Sequence, residues 1–327
     1  MNIMTSCDDG YARYVFVNLA NIGKVLTAKY DIYFYLLQSK VSSKLIEEMD
    51  KYAKTIDVKF YNIKIEENGS FDGITKYSKF RSGNSECFYS LVAHLYLPEE
   101  VDKVMYIDTG DVILLTDEYD FYYDGWKGRT LFALNTWRMR VEKDNFKDLT
   151  ERKTGGFNSG QFILDIKQLR ERNVKMQDYI DYANQWKKAM PKEKHLYVGD
   201  QAFLTGFFAG DIYRISKKSK DFDAYNVKVA KDVGEEAVTH YKSAHFNKMF
   251  ENLKPWDFPF KKEKDLDKFS VKIADHPKRQ AILSPTEKFY LLKWWEFCEM
   301  TPVYETLKRE SFYHLKLLHR LVKFSEK

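Results

Sequence analysis

From Asn2 to Asp108 the chain alternates short apolar, β-favouring runs with stretches of helical spacing, and that order confines it to a layered α/β fold. Asn2 to Cys7 reads as a strand and Tyr14 to Leu26 as a helix. Asp31 to Leu37 is a second apolar strand, and Ser42 to Tyr52 a helix with serines placed to cap it. Val58 to Ile63 alternates like a strand, Glu86 to Leu97 is helical, and Lys103 to Asp108 is a strand that ends in acids. A β-α-β-α-β order predicts a doubly wound, mostly parallel sheet, whose ligands bind outside the carboxyl ends of the strands. Asp8, Asp9, Asp108 and Asp111 all fall at such ends.

Further along, Asp120 to Gly156 is irregular apart from a strand-like Leu131 to Leu134, and its later part is predicted to be a mobile loop. Gln161 to Ile166 is then a strand, Lys167 starts a helix, another helix opens near Asp200, and Ala237 to Tyr241 is strand-like.

With 327 residues, 44% of them hydrophobic, the chain can bury a large core without a linker or a repeat. Three well-separated cysteines, Cys7, Cys87 and Cys298, form neither a zinc pattern nor a disulfide framework and suit a reducing compartment. No basic, apolar leader follows Met1 and no run is long enough to span a bilayer, so a cytoplasmic protein is expected. The net charge of +5 is concentrated at the C-terminus, where Lys308 to Lys327 holds six basic residues against Glu310 and Glu326. The rest is near neutral, which argues against a nucleic-acid binder.

Five segments carry candidate chemistry. In Tyr106-Ile-Asp-Thr-Gly-Asp111 two close carboxylates end a buried strand. Like charges there are costly unless a hard cation such as Mg²⁺ or Mn²⁺ resolves them, and a simple turn at Thr109-Gly110 is the alternative. Cys7-Asp-Asp-Gly-Tyr11 offers acids for ribose hydroxyls or a base edge and a ring for stacking, or else a helix cap. Gly155-Gly-Phe-Asn-Ser-Gly160 combines tight turning with the hydrogen-bonding amide of Asn158, or is an ordinary turn. Asp200-Gln201 opens a helix, and His240 in Val238-Thr-His-Tyr241 precedes Lys254-Pro-Trp256.

In this order the five segments resemble glycosyltransferase family 8, the retaining group that includes bacterial lipooligosaccharide galactosyltransferases and glycogenin. The resemblance runs from Met1 to about Trp256. It implies a GT-A type, Rossmann-like domain over residues 1–256 and leaves 257–327 as a helical, aromatic and basic extension. It also implies a hexosyltransferase that moves galactose or glucose from a UDP-sugar to a saccharide, lipid-linked or glycoprotein acceptor, in bacterial surface polysaccharide, lipooligosaccharide or glycoprotein synthesis. Asp8, with its neighbour Asp9, and Tyr11 would meet the uridine. Asp108, Asp111 and His240 would hold Mn²⁺ or Mg²⁺, with Lys254 on the diphosphate. Asn158 and Asp200 would grip the donor sugar, Gln201 would sit beneath the anomeric carbon, and Asn135 stands where the family often has an acid.

The chain departs from the family pattern in several places. Asp108-Thr-Gly-Asp111 is one residue longer than Asp-x-Asp, which Gly110 can accommodate by an added bend. Phe88-Tyr-Ser-Leu91 lacks the Arg usual in that helix, with Lys79 or Arg81 as substitutes, and His245 is a second candidate for the imidazole. In the extension, Trp294, Trp295, Phe297, Tyr304, Phe312 and Tyr313 lie among basic residues. A helix over Lys308 to Lys327 would put Arg309, Lys316, Arg320, Lys323 and Lys327 on one face and Leu317, Leu318, Leu321 and Phe324 off it, a pattern for an interfacial helix on anionic lipid or for a packed helix with a solvated basic face. Two other readings accompany the transferase. A metal-dependent phosphohydrolase would use the same paired acids, and a UDP-binding scaffold would not turn over.

Overall fold

The computed structural model describes residues 1–78, 85–123, 126–133, 157, 159–192, 194–197, 199–214, 224–226, 243–245, 254–258, 270–273, 276–282 and 285–311. The first half follows the predicted order. Strand β1 (Asn2–Ser6) leads into the one-turn α1 (Asp9–Ala12) and helix α2 (Val15–Val25); then come β2 (Ile32–Gln38), α3 (Ser43–Lys54) and β3 (Val58–Lys64). After the short α4 (Asp72–Thr75), α5 (Tyr89–Tyr96) precedes β4 (Lys103–Ile107) and β5 (Val112–Leu114). The later elements are β6 (Leu131–Ala133), β7 (Gln161–Asp165), α6 (Ile166–Glu171), α7 (Met176–Ala189), α8 (Gly199–Phe207) and β8 (Ile212–Arg214). They are followed by β9 (Ala224–Asn226), β10 (Ser243–His245), the hairpin β11 (Ser270–Ile273) and β12 (His276–Ile282), and α9 (Pro285–Glu299).

Seven strands form one sheet in the order β3-β2-β1-β4-β7-β6-β8. Strands β3, β2, β1 and β4 are parallel, β7 is antiparallel to both its neighbours, and β6 and β8 are parallel, so β7 alone runs backwards. The chain builds β2 and β3 on one side of β1 and then crosses to place β4 on the other. That reversal opens a crevice at the carboxyl ends of β1 and β4, the place where such sheets bind ligands. The reversed β7 brings its leading residues to the same end, because Gln161 pairs with Ile107.

Alternate side chains of each strand enter different cores, as the two-residue period of a strand requires. Met4, Tyr35, Leu37, Tyr106 and Phe162 pack with α5, α6, α7 and α8, while Ile3, Phe34, Leu36, Ile107 and Ile163 pack with α2 and α3. Strands buried on both faces carry the unbroken apolar runs seen in the sequence. A third core joins the far side of α2 to Trp256, Phe258 and α9.

One side chain secures the entry to β4. Arg170 of α6 donates to five carbonyls, those of His94, Leu97, Pro98, Glu99 and Val101, at 2.7–3.2 Å. These carbonyls end α5 and turn the chain into β4, where the helix leaves acceptors without internal partners. Arg170→Ala should lower stability by about 3 kcal/mol, measured by urea denaturation, and Arg170→Lys should recover less than half of it because one ammonium cannot span the same acceptors.

Candidate functional site

The site is assembled at the carboxyl ends of β1 and β4. Asp8, just beyond β1, accepts from the Tyr11 amide at 2.9 Å and so caps α1, the capping role open to it from sequence. Asp9 accepts from the Ser42 amide at 2.9 Å, tying this turn to the start of α3. The helix predicted from Tyr14 to Leu26 is thus preceded by a separate capped turn. Tyr11 is 38% exposed and stands edge-on to Trp256, with ring centroids 5.7 Å apart.

Beyond β4, the segment Asp108-Thr-Gly-Asp111 is held by its backbone. The Asp108 amide donates to the Gly160 carbonyl at 2.8 Å, and the Thr109 hydroxyl donates to the Ser6 carbonyl at 3.1 Å. Asn18, buried in α2, takes the Gly110 amide at 2.7 Å and donates to the carbonyls of Asp108 and Val112. Three residues on, Asn21 grips both backbone groups of Leu114. Two asparagines inside the apolar run Phe16 to Ile22 were the sequence signal for this scaffold, since a buried amide needs partners. Gly110 takes φ +73°, and a Cβ there would lie 2.7 Å from Tyr14 Cβ and 2.8 Å from the Trp256 ring. The added bend anticipated at this glycine is present, and it requires glycine on both grounds.

Around the loop the predicted acids meet other elements. The fully buried Tyr106 hydroxyl donates to Asp108 Oδ1 at 3.2 Å and lies 3.3 Å from the Ser6 hydroxyl. Burial, then the carboxylates of Asp108 and Asp200, hold its pKa well above the ordinary tyrosine range, so it stays a donor. Asp200 and Gln201 open α8, where Gly199 has φ +66°, and Gln201 Oε1 accepts from the Ser159 amide at 3.2 Å. The reversed β7 and the start of α8 therefore reach the crevice together.

Asp111 is 4% exposed, and Lys254 Nζ contacts its Oδ2. Burial of Lys254 works against its charge, but Asp111, its hydrogen bond and then Asp108 outweigh this and raise the pKa above the usual lysine value. Both carboxylates thus act on one positive charge. The ammonium is held by Asp111 and stabilised electrostatically by Asp108, and carboxylate oxygens of this kind are the donors that suit a hard divalent cation. Among the described residues no group of three acidic, histidine or cysteine side chains is close enough to hold an ion. His240, the third ligand read from the sequence, lies outside them, as do Asn135, Asn158, Lys79, Arg81 and the predicted strand from Ala237 to Tyr241. Of His245 only the backbone, in β10, is described; that strand pairs with β5 just beyond Asp111.

In the segment Phe88-Tyr-Ser-Leu91 all four side chains are buried, and upstream of it so is Glu86. Burial raises the Glu86 pKa against the pull of its own backbone amide, helped by Glu67 and Asp8. In the extension, Trp294, Trp295, Phe297 and Tyr304 are core residues, whereas most of the interfacial helix expected over Lys308 to Lys327, with Phe312, Tyr313 and its basic residues from Lys316 onward, lies outside the described part.

A sequence profile of the family described as Glycosyl transferase family 8 matches residues 2–258. No curated protein matches the chain in sequence. Among solved structures, the galactosyltransferase LgtC, in complex with donor and acceptor sugar analogues, aligns over 78% of this chain and 89% of that one, with a TM-score of 0.60 and 18% identity. The bifunctional glycosyltransferase WbbM covers 94% of this chain with a TM-score of 0.62 at 14% identity, and the chain spans 51% of its length. GlyE of Streptococcus pneumoniae covers 95% with a TM-score of 0.54 at 15% identity, and the chain spans 64% of it. At these identities the likeness is one of fold, the GT-A type.

Lys254→Met would leave the Asp111 carboxylate buried without its counter-charge. It should destabilise the metal-free protein by about 3 kcal/mol, measured by urea denaturation. Added Mn²⁺ should restore more stability to this variant than to the parent, because the cation supplies the missing charge.

Proposed function

The chain belongs to glycosyl transferase family 8 and is a glycosyltransferase, and from that premise we propose that it transfers a hexose, galactose or glucose, from a UDP-sugar with retention of configuration. The acceptor is a saccharide, lipid-linked oligosaccharide or glycoprotein in bacterial surface polysaccharide, lipooligosaccharide or glycoprotein synthesis. Residues 1–256 are the catalytic domain and 257–327 its extension. The observation that carries this reading is the buried Asp111 paired with Lys254 just beyond β4, with Asp108 adding to the stabilisation of the same charge, at the crevice between β1 and β4.

The work of the site is to stabilise UDP as a leaving group. A divalent cation, Mn²⁺ or Mg²⁺, when held by Asp108, Asp111 and His240, would neutralise charge on the diphosphate. Lys254 brings a second positive charge to the same place and is assigned to the diphosphate, with its flexible stem allowing it to leave Asp111. Tyr106 fixes the Asp108 carboxylate by donating to it, which removes one rotational freedom from the oxygen donor set. Asp8, Asp9 and Tyr11 are assigned to the uridine, Asn135, Asn158 and Asp200 to the donor sugar, and Gln201 to the anomeric carbon. The Ser159 amide, bound to Gln201, orients that side chain from the reversed strand.

Buried free thiols at Cys7, Cys87 and Cys298 support a cytoplasmic setting. Among the described residues no helix is long and apolar enough to cross a membrane.

Incubation with a panel of UDP-sugars and Mn²⁺ should release UDP from one donor by slow hydrolysis, and Asp111→Asn should abolish that release. Free phosphate without UDP would favour the phosphohydrolase instead. Metal-dependent UDP binding with no donor consumed would identify a scaffold.

A further inference from the structure

The loop Asp108-Thr-Gly-Asp111 is held from two sides, and only one of them belongs to the matched region. Asn18 grips it from α2. From the other side, Trp294 Nε1 of α9 donates to the Gly110 carbonyl at 2.7 Å, and the Tyr290 hydroxyl donates to the Asp111 carbonyl at 2.6 Å. Both side chains are buried, at 0% and 1% exposure, and both lie beyond residue 258, where the family match ends. We propose that Tyr290 and Trp294 are positioning residues that fix the Asp108-Thr-Gly-Asp111 loop, so that Asp111 presents its carboxylate to a divalent cation. This rests on the metal-dependent reading above.

The physical reason lies in the extra residue. One residue more than Asp-x-Asp adds a pair of soft backbone dihedrals and another amide and carbonyl to satisfy. Left to itself, such a loop would sample several positions of its second aspartate, at a cost in order that cation binding would have to meet. Here the turn at Gly110 points its carbonyl and that of Asp111 at the two donors on α9. Packing alone does not explain this. Trp295, the next residue, is equally buried at 2% exposure, yet its indole nitrogen has no hydrogen-bond partner among the described residues. Trp294, by contrast, turns its nitrogen onto the loop and its ring toward Trp256, 6.1 Å away. Trp256 in turn stacks on Tyr14 at 3.7 Å and covers Gly110. The segment that follows the helix is anchored to the catalytic layers, since the Tyr52 hydroxyl of α3 donates to the Met300 carbonyl at 2.9 Å and Arg13 pairs with Glu310.

The test uses the full chain with Tyr290→Phe, Trp294→Phe and the control Trp295→Phe, which trims a buried indole whose nitrogen makes no hydrogen bond to the loop. Mn²⁺ affinity is measured directly by calorimetric titration with UDP present, beside melting temperature and the Mn²⁺ dependence of UDP release. Tyr290→Phe and Trp294→Phe should each weaken Mn²⁺ binding by about tenfold, with kcat recovered at saturating Mn²⁺, while Trp295→Phe lowers the melting temperature and leaves Mn²⁺ affinity within about twofold. Parental Mn²⁺ affinity in both loop-facing variants would overturn the inference and leave the metal reading standing. A parent protein that binds no divalent cation would overturn both.

Discussion

A carboxylate buried at the end of a strand is tolerable only beside a positive charge, and Asp111 is the point on which this molecule turns. In the absence of a metal the charge comes from Lys254, across 143 residues of chain. That contact obliges the segment around Trp256 to lie against β4 and α2, which places Trp256 over Gly110 and Tyr14. The third core follows, with α9 closing over the same aromatic group. Electrostatic need at one side chain and apolar packing at its neighbours thus favour the same arrangement.

Much of the loop's backbone is met by partners from elsewhere in the chain. Its amides and carbonyls are met by Gly160 before β7, by Asn18 of α2, and by Tyr290 and Trp294 of α9. The partners come from three different parts of the fold, so the geometry of the two aspartates reports on the assembly of the whole crevice. The reversed strand β7 matters for the same reason. Running against β4, it delivers Ser159 and Gly160 to the carboxyl end, where they meet Gln201 and Asp108.

Much of the central sheet was legible because buried parallel strands must be continuously apolar and the helices between them must carry a spaced apolar face. Asn2 to Ser6, Ile32 to Gln38 and Lys103 to Ile107 are within a residue or so of the expected strands. Three-residue strands such as Val112 to Leu114 are too short to show any period, and they escaped notice. Helix α7 was also missed, since its apolar residues are diluted by charged ones over Met176 to Ala189. Trp294, Trp295, Phe297 and Tyr304 were visible in the sequence only as a cluster of aromatics, and the structure makes them core residues. Aromatic content records that a segment is apolar but not what covers it.

At the site, the order of motifs carried the family and the paired acids, because chemistry fixes residue types at the ends of particular strands. Asp108, Asp111, Asp200, Gln201 and Lys254 could be named from the chain alone. Their mutual placement could not, since the contacts of Lys254 with Asp111 and of Gln201 with the Ser159 amide join segments far apart in sequence. Nor could the roles of Asn18, Tyr290 and Trp294 be read in advance. Composition and periodicity say that a side chain will be buried, whereas the partner of its one polar atom is decided only when distant elements pack together.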